Sequence, residues 1–321
     1  MTKAVVIRLF KLAFLGLAGA LVASWLQELH PAFDSPTHFR PYFCAALLVI
    51  CLALVYARAW TWVASGVLVI GTSLVLTQPY LGLADQSGVM DRQQTGTDTL
   101  RVVQMNMRYN NNQPERAGQV IADAQPDIVI LQEVTTGNDI VLRSLAGELP
   151  NQVSCYTPYV ASVAILSRFP FSSAGNNNCF KYLGFARAGI VVNGRELNIA
   201  SFHSRWPWPF SQPRQVKELR PEFEGLEHPL ILAGDFNSAP WSAIVQKVAR
   251  YSRSRLPEKM LLTWTTKFSF VKKTIGPLLP IDHIMVSPDL MIDARSTLPD
   301  GGSDHLPVLS LVKLPEVLGT E

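Results

Sequence analysis

The sequence predicts an α+β domain, two packed sheets with helices outside, carried behind three transmembrane helices. Three features carry that prediction. Apolar residues crowd into the N-terminal quarter of the chain. The remainder breaks into many short strand-like runs with few long helical ones. Acid, amide and imidazole side chains recur at the ends of those runs. The bulk figures agree: 321 residues suit roughly two domains. Only 17% of residues are charged and mean hydropathy is +0.17, where soluble domains carry about a quarter charged residues.

Leu9–Leu26, Tyr42–Ala57 and Trp60–Thr77 are the apolar stretches, and Lys11 is the one charge inside them. Each is near the length a helix needs to cross about 30 Å of hydrocarbon, although the middle one is short. A cleaved signal peptide, with Lys3, Arg8 and Lys11 as its basic start, accounts for the first stretch alone and leaves the next two unexplained. Lys3, Arg8, Lys11 and Arg58 fall on one side of the three crossings, and Glu28, Asp34 and Arg40 on the other. The positive-inside rule then places the N-terminus in the cytoplasm and everything after Thr77 outside. Trp25, Trp60, Trp62 and Tyr80 sit near the expected interfaces. The division that follows is a membrane domain over 1–84, a linker over 85–98, polar and without periodicity, and a globular domain over 99–321.

Within the globular part, Leu100–Met105, Ile128–Leu131, Val163–Leu166, Gly189–Val192, Leu197–Ser201, Leu230–Ala233, Ile281–Val286 and Pro307–Val312 read as strands, and Pro114–Ala124 has helical spacing. Asn106 follows the first strand, Glu133 the second, His203 the strand "LNIASF", and Asp235 and Asn237 the strand "LILAG". Asp282 and His283 follow "LLPI", and Ser303, Asp304 and His305 precede "LPVLSL". Turn chemistry accounts for any one of them. Together they suit an active site at a sheet rim, where rigid strands hold several groups in working geometry.

The runs "VVQMNMRYN", "PDIVILQEV", "SFHSRW", "LAGDFNSAPWS", "PIDHIMVS" and "GSDHLPVL" resemble, in order, the motifs of the endonuclease/exonuclease/phosphatase superfamily, the DNase I-like hydrolases. The resemblance spans about Leu100–Val312 and implies a four-layered αββα sandwich. The apolar front is similar to a bacterial branch in which three helices carry this domain outside the inner membrane.

The implied activity is phosphodiester hydrolysis by metal-assisted attack of water, with Mg²⁺ as cofactor and Mn²⁺ as the alternative. Glu133 would bind the metal, with Asn106 as a second oxygen donor and Asp304 supporting the metal side. Asp235 would orient the attacking water while Asn237, on the same face of an extended segment, donates to the phosphate. His305 would be the general base or a phosphate-binding cation, with Asp282 orienting or charging it. His203 would contact the phosphate or protonate the leaving group. Arg187 is a weaker candidate for a phosphate clamp. His283 reads as a packing residue beside Asp282. Trp206 and Trp208 are open to substrate contact, lipid contact or loop packing.

The expected partners are a phosphodiester substrate, nucleic acid or phospholipid-like, and membrane lipids; no protein partner is expected. Near-balanced Lys/Arg and Asp/Glu in the globular part weigh against duplex binding. A non-catalytic, membrane-tethered binding module that kept the fold is the alternative function. The segment Lys247–Lys273, with Glu258 as its one acid, suggests a basic face toward an anionic bilayer, flanked by Trp264, Phe268 and Phe270. Cys155 and Cys179 lie in the part placed outside the cytoplasm, where disulfides persist, and are expected to pair. Cys44 and Cys51 are about 10 Å apart along one helix axis and are expected to stay reduced.

Overall fold

The computed structural model describes residues 2–82, 98–156, 162–173, 177–180, 182–268 and 273–315. The linker placed at 85–98 lies outside these residues except for Asp98, as do Phe270 and Lys272 of the basic segment.

The front is helical: α1 (Lys3–Trp25), a short α2 (Pro31–Asp34), a 3₁₀ turn over Ser35–Phe39, α3 (Arg40–Tyr56) and α4 (Trp60–Val75). Phe14, Ala18 and Leu21 of α1 pack on Cys44, Leu47, Cys51 and Leu54 of α3, with Trp62 and Ile70 of α4 against them. The outward faces stay apolar: Leu12 is 64% exposed, Val49 64% and Leu68 70%. Two helical runs, Lys3–Trp25 and Pro31–Tyr56, are long and apolar enough to cross a bilayer. The third expected span is corrected to a shorter apolar helix. Its 16 residues rise about 24 Å, short of the ~30 Å hydrocarbon layer. It stops because the chain turns through a 3₁₀ segment, Gln78–Tyr80, that contains Pro79.

The globular part is a mixed α/β sandwich. It begins with β1 (Thr99–Asn106), α5 (Pro114–Asp123), β2 (Ile128–Gln132), α6 (Ile140–Leu145), β3 (Asn151–Cys155) and β4 (Val163–Ser167). It continues with β5 (Asn178–Phe180), β6 (Phe185–Val192), β7 (Arg195–His203), α7 (Gln212–Glu218), α8 (Arg220–Glu224) and β8 (Leu230–Asp235). It ends with α9 (Ala243–Tyr251), β9 (Trp264–Phe268), β10 (Lys273–Leu279), β11 (Asp282–Val286), β12 (Met291–Thr297) and β13 (Val308–Lys313).

One sheet has the order β12-β13-β1-β2-β4-β3, the other β11-β8-β7-β6-β5, and β9 and β10 form a separate hairpin. Apolar residues of the two inner faces, among them Val102, Ile130, Ile165, Ala188, Ile199 and Ile231, form the central core. Helices α5 and α6 cover the first sheet through Ala117, Ile121 and Leu145. Helices α7 to α9 cover the second through Val216, Phe223, Val245 and Val248. Strands β1, β2, β4 and β8 are therefore covered on both faces, which explains their nearly unbroken apolar runs.

The topology gathers the strand ends. β1 and β2 are parallel, and so are β7 and β8. Their C-terminal ends therefore emerge on one edge of the sandwich, and antiparallel β11 starts there, with Asp282 opposite Asp235.

Cys155 and Cys179 form a disulfide, while Cys44 and Cys51 are free and buried. Cys155 lies on β3 and Cys179 on β5, the edge strands of the two sheets, so the bridge ties the sandwich along one side. Closing a loop with a separation of 24 residues is expected to stabilise the domain by about 3 kcal/mol. Thermal unfolding with and without reductant, beside mass spectrometry of unreduced peptides, checks this. Equal unfolding temperatures would show that the bridge contributes nothing.

Candidate active site

Asn106 closes β1 and Glu133 follows β2. Glu133 adopts a left-handed backbone, φ 56°, strain of the kind a bulky residue holds only where surroundings impose it. That conformation turns its carboxylate off the strand end. Glu133 Oε1 accepts from Asn106 Nδ2 at 3.1 Å and Oε2 from the Tyr109 N–H at 2.8 Å. Asn106 Nδ2 also reaches Asp235 Oδ2 at 2.9 Å, and its Oδ1 accepts the Arg108 N–H at 2.8 Å. In this geometry Asn106 Nδ2 bridges two carboxylates.

Asp235 ends β8, paired with His203 on β7 and Asp282 on β11. Gly234 precedes it because a Cβ there would collide with the Phe202 carbonyl oxygen of β7. Asp235 Oδ1 accepts the Asn237 N–H at 2.7 Å, and Asn237 has φ 48°. The expected extended segment with two side chains on one face is thus corrected to a tight Asx turn. Asn237 Nδ2 donates to the Ser204 carbonyl at 2.8 Å.

His305 donates from Nδ1 to Asp282 Oδ2 at 2.8 Å, and its Nε2 lies 3.8 Å from Asp235 Oδ2. Thr263 Oγ1 donates to Asp282 Oδ2 at 2.5 Å and Gln104 Nε2 to Oδ1 at 2.9 Å. His203 Nε2 sits 3.6 Å from Asp235 Oδ2 and 3.7 Å from Glu133 Oε1. Asp235, Asp282 and His305 are buried, with one ligand-capable atom of each within 4.8 Å of the others. Such a group can hold a cation, but Asp282 has both oxygens bonded and His305 Nδ1 is engaged, so the trio reads as a proton-transfer set.

Burial opposes the charge on His305, but facing Asp282 and Asp235 outweigh it and push its pKa up to about 10. Burial, reinforced by Asp282, raises Asp235 to about 6 against the opposing pull of His305 and His203. Burial also works against ionised Asp282, yet His305 and its hydrogen bonds hold its pKa below the ordinary carboxylate value. At neutral pH this describes an imidazolium flanked by a permanent carboxylate and one poised near its titration point, the tuning expected of a general base.

A cleft of about 770 Å³ opens over this edge, lined by Glu133, His203, Asp235, Asn237, Asp304 and His305. Its rim is aromatic: Tyr109, Tyr182, Trp206, Phe210 and Trp264. Trp206 is 64% exposed and Phe210 62%. Trp208 turns away toward His30, with ring centroids 6.4 Å apart. Arg108 and Arg205 are the cleft's Lys/Arg lining among the described residues.

Of the residues expected at the site, Arg187 is not brought there. It lies within β6, pairs with Glu222 at 3.7 Å and stacks over Phe180, because β6 reaches the site edge only at its start. His283 is a packing residue, as expected: Nε2 bonds the Ser238 carbonyl at 2.8 Å, and burial lowers its pKa to about 4. Four of the cations in the basic segment Lys247–Lys273 have partners within the fold. Lys247 and Arg250 pair with Glu28, and Arg253 and Arg255 donate to the Leu226 and Leu290 carbonyls. Gln104 and Thr263 were missed. Gln104 had a signal, a lone amide inside the apolar run "VVQM"; Thr263, in a loop, had none.

A divalent cation is tested by donor chemistry. Glu133 and Asp304 bring carboxylates to the cleft. Glu133 has no Lys or Arg ion pair among the described residues, and His203 Nε2 lies 3.7 Å from its Oε1. Two hard oxygen donors, one lacking a basic partner, fit such an ion.

No curated protein matches the chain significantly. The fold is similar to an endonuclease/exonuclease/phosphatase from Bacteroides vulgatus (17% identity, TM-score 0.55, covering 67% of this chain and 99% of that one). It is also similar to D. rerio TDP2 complexed with single-strand DNA product (22%, 0.53, 67% and 99%). A third similar fold is Staphylococcus aureus beta toxin with bound magnesium ions (17%, 0.50, 68% and 99%). The profile of the endonuclease/exonuclease/phosphatase family matches residues 103–305. That span runs from β1 to His305 and takes in the polar edge described above, so the chain belongs to the endonuclease/exonuclease/phosphatase family, with a DNase I-like fold.

Proposed function

We propose that the protein is a membrane-anchored, Mg²⁺-dependent phosphodiesterase that uses water to cleave a phosphodiester held at the outer face of the bacterial cell membrane. One observation carries the reading: Asp235 and His305 of the buried Asp235–His305–Asp282 set line one cleft together with Glu133. Glu133 and Asp304 would hold the cation, which when bound would neutralise phosphoryl charge and assist the leaving oxygen. Asp235, raised to about 6, accepts the proton of the attacking water. His305, its Nδ1–H held by Asp282, presents a charged Nε2–H to the phosphoryl group. Asn237 holds Asp235 in place through its backbone N–H, and His203 supplies a second imidazole beside both carboxylates.

The anchoring is supported by the two long apolar helical runs and their exposed apolar faces. The disulfide supports an extracytoplasmic catalytic domain. An aromatic rim with two arginines favours a phosphodiester carrying apolar substituents, phospholipid-like, over a polyanion. The full-length protein in nanodiscs, with Mg²⁺ or EDTA, tests this on bis(p-nitrophenyl) phosphate, phospholipid and single-stranded DNA. Mg²⁺-dependent hydrolysis of the first two is expected. DNA cleavage alone would overturn the substrate class, and inactivity on all three would leave the binding-module alternative.

A further inference from the structure

The connection between α1 and α3 is bonded into the loop that carries Asp235 and Asn237. Arg40 is buried and donates to Ser24 Oγ, the Ser24 carbonyl, Gln27 Oε1 and Thr77 Oγ1, drawing three helix ends together. Gln27 passes this on by donating from Nε2 to the Trp241 carbonyl at 3.0 Å. Asp34, 4% exposed, accepts the Ala243 N–H at 2.8 Å and the Ile244 N–H at 3.2 Å. These are the first two N–H groups of α9, and Ser242 accepts the third, from Val245, at 3.3 Å. Asp34 thus completes the cap of a catalytic-domain helix from over two hundred residues away. The Thr37 carbonyl accepts Trp241 Nε1–H at 2.7 Å, and His38 Nδ1 accepts the Ala239 N–H at 3.2 Å.

The same loop is gripped from its other side by the catalytic domain. Gln212 Nε2 donates to the Phe236 carbonyl at 2.9 Å, and His283 to the Ser238 carbonyl at 2.8 Å. Residues 236–244 therefore lie between two sets of buried hydrogen bonds, one of which belongs to the membrane front. This contact falls directly after the Asx turn that aims Asp235.

We propose that the α1–α3 connection is part of the active-site scaffold, and that Asp34 is a positioning residue that sets the Asp235–Asn237 turn through the Ala239–Ile244 backbone. The catalytic unit then comprises the globular domain plus residues 27–40, and the domain reaches its working geometry with the helices docked. Asp34 touches no reacting atom; it acts through α9 and its leading loop.

The test uses the full-length protein in nanodiscs. Asp34→Ala is expected to lower kcat on bis(p-nitrophenyl) phosphate by about tenfold while KM changes by less than about twofold, because misplacing a reacting group acts on the transition state. Asp34→Asn, which keeps the shape and one acceptor, is expected to fall between. Hydrogen exchange is read in parallel at the Asn237, Ala239, Ala243 and Ile244 amides. Asp34 accepts only from the last two, so faster exchange at Asn237 and Ala239, with β8 unchanged, is the mark of positioning. A purely structural role would lower the unfolding temperature and leave kcat per folded molecule and Asn237 exchange as in the wild type; that result overturns the proposal. If the alanine variant does not fold, the asparagine variant decides. The kinetic arm rests on the proposed phosphodiesterase activity, whereas the exchange arm does not. An inactive wild type would remove the function and leave exchange to decide the coupling.

Discussion

His305→Ala is expected to lower kcat by about 10²–10⁴, the usual contribution of a positioned acid or base, in a chain that remains folded. His305 is the cation between two buried carboxylates, 2.8 Å from Asp282 Oδ2 and 3.8 Å from Asp235 Oδ2. Removing it takes away the charged N–H facing the cleft and leaves Asp235 without its principal balancing charge, which drives that carboxyl further toward its protonated form. Asp235 then no longer accepts a proton near neutrality, so the roles proposed for both residues fail together. The fold survives because Asp282 keeps its bonds from Thr263 and Gln104, and because His305 sits in the approach to β13, outside the sheet cores. Asp282→Asn should have a comparable effect while preserving volume. Steady-state kinetics on a soluble phosphodiester, with circular dichroism for folding, reads the outcome. Near-wild-type kcat in the folded alanine variant would take His305 out of the chemistry.

If Glu133 holds the cation as proposed, Glu133→Gln is expected to lower kcat/KM by about 10²-fold and to weaken Mg²⁺ binding by at least about tenfold, since losing a metal ligand forfeits several kcal/mol of charge stabilisation. The wild-type carboxylate takes two N–H donors, from Asn106 and Tyr109, and has no Lys or Arg ion pair among the described residues. A Gln amide is isosteric but opposes one of those donors with its own NH₂, and it brings no negative charge to the cleft. Isothermal titration calorimetry with Mg²⁺ separates binding from turnover. Unchanged Mg²⁺ affinity would move the metal from Glu133 to the Asp235–Asp282–His305 group.

Much of the site was legible because strands place residues by simple alternation and end abruptly. A polar residue after an apolar run, as at Asn106, Glu133, His203 and Asp235, marks a strand terminus with local information alone. The ordered run from "VVQMN" to "SDHLPV" was enough to identify the family, later borne out over residues 103–305. Arg187 illustrates the limit. Its sequence neighbourhood offers the same charge and flanking apolar residues as a site arginine, but position along β6, not composition, decides what it faces. Within the basic segment Lys247–Lys273, likewise, only the fold brings Glu28, far away in sequence, beside Lys247 and Arg250.

The sequence by itself determined the apolar front, the strand-rich domain and the residue types at its polar edge. Each depends on hydropathy or on local spacing. Only the tertiary structure decided which of those polar groups meet. Parallel pairing of β1 with β2 and β7 with β8 sends four strand ends to one edge, where mutual burial sets the charge of His305 and Asp235. Only it placed Asp34 on α9, because an N–H left orphaned by helix geometry can be satisfied by any acceptor the fold delivers, however distant along the chain.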